Sequence, residues 1–106
     1  ERADSCVYEE GMITSDEPGI YIEGSHGIRT ENLIVCRKGE KNEYGQFMYF
    51  ETLTCAPIDL DAIDPALLNS DERRMLNDYH RFVYDTLSPL MDADEREWLR
   101  RYTRAI

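Results

Sequence analysis

Paired cysteines are missing from this chain. It holds three, Cys6, Cys36 and Cys55, far apart and without a C-x-x-C pair. An odd, widely spaced set argues against a disulfide framework and against a zinc-thiolate site. Idle thiols suit a reducing compartment, so a cytoplasmic location is expected. Basic residues are also scarce, 12 against 22 acidic, for a net charge of −10. A nucleic-acid backbone needs a basic surface, so no nucleic-acid partner is expected. No apolar run nears the roughly 20 residues that span a bilayer, and no membrane partner is expected either. Only two histidines are present, His26 and His80.

What is there changes character near residue 57. Before it, residues 12–17, 28–36 and 46–55 are rich in Ile, Leu, Val, Thr and aromatics and read as three strands. Residues 37–45 (RKGEKNEYG) are charged and contain glycine, and read as a surface loop. The links between strands are too short for helical crossovers, so the pairing is expected to be antiparallel. After Pro57, residues 62–68 read as a short helical turn. Asn69 with Glu72 forms a helix-start signal, as does Asp92 with Glu95. Leu76, Tyr79, Val83, Leu87 and Leu90 recur at helical steps, Pro89 ends that helix, and Trp98, Leu99 and Tyr102 line a final one. Strands followed by helices give an α+β class: a three-stranded antiparallel sheet, then C-terminal helices. The chain reads as one domain or a piece of one, residues 1–56 the strand region and 57–106 a helical tail.

The segment SDEPGIYIEGSHGIRTEN carries two acids, Glu17 and Glu31, on either side of rigid turn residues. If 12–17 and 28–36 are neighbouring strands, these acids lie near the same end and face each other. Alternation puts Arg29, Glu31, Leu33 and Val35 on one face. Two carboxylates aimed at one place repel unless one is protonated or a cation joins them. Oxygen ligands suit a hard divalent ion such as magnesium or manganese. The plain alternative is a turn at Glu17 and a Glu31–Arg29 ion pair, and two ligands fall short of the roughly three protein ligands of a catalytic metal. His26 reads as an exposed turn residue or a substrate-side group, His80 as a packing or capping residue, and Glu51 as a structural hydrogen-bonding acid. Tyr21, Tyr49 and Trp98 read as core or interface.

Residues 11–35, GMITSDEPGIYIEGSHGIRTENLIV, resemble the EPG and GIRxEN segments of the pita-bread metallopeptidases, with the best match to aminopeptidase P, the Xaa-Pro aminopeptidases. FETLTCAPID at 50–59 is similar to that family's next strand and exit loop, and residues 68–103 are similar to the helical tail of its longer members. The resemblance implies half of a pita-bread catalytic domain. It implies a metal-dependent aminopeptidase acting on peptides with proline at the second position. Two divalent ions, taken as Mn(2+), would be held by two aspartates, a histidine and two glutamates. Glu17 and Glu31 match the two glutamates, Arg29 matches the supporting arginine, and His26 is a further candidate catalytic residue. The aspartates and histidine should lie upstream, yet only Asp4 and Asp16 precede Glu17, with no histidine. The chain therefore reads as a C-terminal segment supplying two of the five ligands and inactive alone. Its implied partners are the upstream half of the catalytic domain and a second copy in a homodimer. A metal-free pita-bread module that binds peptides or proteins, and an acidic interaction domain, stand as the other readings.

Overall fold

The computed structural model describes residues 6–106; Asp4 lies outside them. The chain divides into two compact units, Glu1–Thr54 and Cys55–Ile106.

The first unit is all strand. A three-stranded antiparallel sheet has the order β1 (Ile13–Asp16), β4 (Asn32–Asn42), β5 (Gly45–Thr52). A two-stranded ribbon, β2 (Gly19–Ile22) against β3 (His26–Arg29), lies between β1 and β4 in sequence. The expected three-stranded sheet is there, and the ribbon is an addition to it. The expected strand 28–36 is split, because residues 30 and 31 leave the ladder. The expected loop at 37–45 is corrected. β4 runs on to Asn42 and meets β5 through a turn at residues 43 and 44, where Gly45 takes φ 130°. Its charged side chains are exposed on both faces, so no apolar alternation marks the strand. Cross-strand pairing decides it instead, with one register shift between Lys38 and Lys41. The buried centre of this unit is Val35 and Cys36 in mid β4.

The second unit is helical. The expected helical turn at 62–68 is resolved into two separate 3-10 turns, Leu60–Ala62 and Pro65–Leu67, each opened by an aspartate side chain that accepts a backbone N–H. Helix α1 spans Ser70–Leu87. Its capping box is complete: Asn69 accepts from the N–H groups of Asp71 and Glu72, and Glu72 accepts from that of Asn69, all at 2.9 Å. Helix α2, Ala93–Tyr102, repeats the device with Asp92 and Glu95. Such boxes satisfy orphan donors of the first turn, so both starts are fixed locally. Pro89 does end α1, inside a 3-10 turn at Ser88–Leu90. That turn carries Leu90 off the apolar stripe expected for it, and its side chain is 82% exposed. Leu60, His80, Val83 and Leu99 form the buried centre of this unit.

Candidate functional site

The two acids sit where two ladders meet. In the first ladder Asp16 pairs with Asn32; in the second Gly19 pairs with Arg29. Both ladders share one register, so residues 17 and 18 stand opposite 31 and 30. The N–H of Thr30 donates to the carbonyl of Pro18 at 3.4 Å across the gap, and that of Cys36 to Met12 at 2.8 Å further down. Met12 and Pro18 are an even number of residues apart, so the hydrogen-bonding phase is unbroken through residue 17. Glu17 and Glu31 therefore occupy a non-hydrogen-bonded pair, the kind in which side chains approach most closely. On alternation, Ser15, Glu17, Tyr21, Arg29 and Glu31 project from one face of the ribbon.

Arg29 organises that face. Its Nη1 donates to Glu17 Oε2 in an ion pair, and its Nε donates to the Tyr21 hydroxyl at 2.7 Å. Ser15 Oγ donates to Glu17 Oε1 at 2.5 Å. The Ser15 hydroxyl first, and then the Arg29 guanidinium, hold the Glu17 carboxyl below the usual carboxylate range. Arg29 is held still more firmly protonated, by the Tyr21 bond and then by Glu17, with the field of Glu31 adding. One guanidinium thus senses both carboxylates.

Tyr21 belongs to this arrangement, although from sequence alone it reads as core or interface. Its ring lies along the ribbon backbone, 5.7 Å from the Arg29 guanidinium. A Cβ at Gly27 would come within 2.6 Å of that ring, and one at Gly19 within 2.8 Å of its hydroxyl. The signal was present as G-x-Y followed by a facing glycine, since each glycine leaves room for the ring to lie flat.

His26 emerges on the opposite face. It lines a shallow cavity of about 360 Å³ with Pro18, Ile20, Ile28 and Thr30, and its Nδ1 lies 2.8 Å from Ser25 Oγ. Glu51 pairs with Arg37 at 2.7 Å. His80 is buried in the helical unit. Among the described residues no three or more His, Cys, Asp or Glu side chains are grouped to hold a metal ion. The donors present fit a hard divalent ion in kind, as two facing carboxylates, and are a part of a ligand set in number.

Residues 46–106 match the model of the C-terminal region of peptidase M24. The chain belongs to this family. It is 41% identical to a probable Xaa-Pro aminopeptidase P of Coprinopsis cinerea, over 96% of this chain and 17% of that protein. It is 38% identical to an uncharacterized peptidase of Schizosaccharomyces pombe, again over 96% of this chain and 18% of that one. Among solved structures it resembles an X-prolyl aminopeptidase from Caenorhabditis elegans, described as a cytosolic enzyme with a dinuclear active site. That likeness has a TM-score of 0.77 at 28% identity and covers 93% of this chain and 17% of the other. The resemblance to aminopeptidase P is borne out, and with it the α+β class. This M24 C-terminal chain spans less than a fifth of the length of these relatives. No helix among its described residues is long and apolar enough to cross a membrane.

Proposed function

We propose that this chain is the C-terminal segment of a metal-dependent aminopeptidase that cleaves the bond before a proline at the second position. In this reading Glu17 and Glu31 are two ligands of a pair of divalent ions, Mn(2+) being the proposed metal. The remaining ligands come from the upstream half of the catalytic domain. The ions, when bound, supply Lewis-acid polarisation of the scissile carbonyl. Arg29 is a positioning residue that aims Glu17 and offsets the repulsion between the carboxylates. His26 projects from the other side of the ribbon and has no part in the proposed ligand set. The complete protein is proposed to be cytoplasmic and homodimeric, and the chain alone to have no peptidase activity.

The observation that carries this reading is the shared register, with Glu17 and Glu31 facing each other beside Arg29. A metal-free peptide-binding module would have no use for two facing acids on an arginine-braced ribbon. Manganese titration by calorimetry tests it. The chain should bind weakly, and the Glu17→Ala, Glu31→Ala double variant should lose that heat. Equal binding by both forms removes these acids from the site.

A further inference from the structure

Helix α1 encloses an imidazole at its middle. His80 has no exposed surface. Its Nε2 lies 3.0 Å from the backbone nitrogen of Ile58. An N–H can only donate, so Nε2 is the acceptor and the ring proton sits on Nδ1. Nδ1 is itself buried and has no hydrogen-bond partner among the described residues. One residue earlier, Tyr79 donates its hydroxyl to the carbonyl of Ala56 at 2.9 Å. Two successive residues of α1 therefore hold residues 56–58, the stretch that opens the helical unit, one by donating and one by accepting.

The charged ring cannot make this contact. In the imidazolium both nitrogens are donors, so Nε2–H would meet the Ile58 N–H head on. The new charge would also be buried without a counter-charge. The charged group acting on the ring is Arg104, from the segment after α2. Arg104 is paired at 3.5 Å with Asp61 of the first 3-10 turn, and the neighbouring ring is Tyr79, 5.9 Å away.

We propose that His80 is a pH-sensitive latch, pinning residues 56–58 to α1 while neutral and releasing them when protonated. Desolvation, with the Arg104 charge adding to it, pushes the imidazole below its ordinary value of 6.5. The released state therefore takes up the proton first. The latch is fully held above that value and weakens as pH falls below it. Between 6.5 and the lowered value of the closed state, each pH unit multiplies the open population by up to about tenfold.

Amide hydrogen exchange read by NMR between pH 5 and 8 tests the latch. After correction for intrinsic exchange, protection of the Ile58 amide should fall by up to about tenfold per unit below pH 6.5. The amide of Cys36, in the sheet unit, should not follow it. In His80→Gln the side-chain oxygen still accepts but does not titrate, so the Ile58 dependence should vanish. If that variant fails to fold, the nitrogen shifts of the wild-type ring decide, with signals assigned by His26→Asn. They should report an Nδ1–H tautomer whose protonation midpoint lies below 6.5. Ile58 protection that does not change with pH, an Nε2–H tautomer, or a ring midpoint at or above 6.5 overturns the proposal.

Discussion

At the scale of single residues, the carboxylate of Glu17 is already held by two donors, Ser15 and Arg29. Both favour the ionised form, so its folded-state pKa lies below its ordinary 4.5. A depressed carboxylate stabilises the fold above the unfolded value and loses that contribution as pH falls through the folded one. Carbon-detected titration should show Ser15→Ala and Arg29→Ala each moving the Glu17 midpoint back towards 4.5. The Ser15 hydroxyl is the largest single cause, while Arg29 acts both by its charge and by its hydrogen bond. A midpoint unmoved in both would detach Glu17 from this network. A second expectation concerns Gly27. Its alanine variant places a methyl group 2.6 Å from the Tyr21 ring, which is far inside contact distance. The ring is 63% exposed and free to swing outward, so the chain should fold while the Arg29–Tyr21 bond is lost. The Arg29 Nε–H signal in nitrogen-edited NMR should then exchange faster with water, and an unchanged rate would show that the ring has not moved.

At the scale of elements, the helix starts were legible because a capping box is a local device. Asn69 and Glu72, or Asp92 and Glu95, satisfy backbone donors within one turn, whatever lies beyond. Removing one oxygen acceptor should cost about 1 kcal/mol, so Asn69→Ala should lower the urea midpoint of the helical unit with its slope unchanged. Leu99 is a different case, fully buried where α2 meets the centre of that unit. Leu99→Ala should cost about 2–5 kcal/mol, and circular dichroism should show a large loss of cooperative helix unfolding. The strand β4 was only half legible. Residues 32–36 carry the apolar and β-branched side chains, whereas 37–42 are mostly charged and exposed beyond Arg37, and pair with β5 through backbone hydrogen bonds that any side chain permits. The helical turn expected at 62–68 after Asp61 becomes two short 3-10 turns, because the aspartates that accept at the two starts are Asp59 and Asp64.

At the scale of the whole molecule, apolar surface is the governing quantity. Ile20, Ile22 and Ile28 of the ribbon stand exposed, as do Phe47 and Phe50 of β5 and Trp98 of α2. The fully buried apolar side chains among the described residues are few by comparison. Exposed apolar groups on this scale mark surfaces that other protein covers, which agrees with a chain spanning 17% of its aminopeptidase relative from Coprinopsis cinerea. The chain alone should therefore self-associate. Light scattering should show an apparent mass that rises with concentration, and co-expression with the upstream part of the same protein should suppress it. A constant monomer mass across the concentration range would mean that these side chains are already covered.

The turn expected at Pro18–Gly19 falls instead at residues 23–25, because the chain runs straight on from β1 into β2. The sequence by itself determined that strands precede helices, both capped helix starts and the family. Each of these rests on signals carried by residues a few positions apart. It also named Glu17, Glu31 and Arg29, through the EPG and GIRxEN segments. Only the tertiary structure decided that β1–β2 and β3–β4 keep one continuous register through the break, that Tyr21 lies flat over Gly19 and Gly27 to hold Arg29, and that His80 accepts from Ile58. Those facts depend on which residues meet across 14 positions between Glu17 and Glu31, or 22 between Ile58 and His80. Such pairings are fixed by the phase of a ladder and the burial of a helix face, and no window of neighbouring residues contains either.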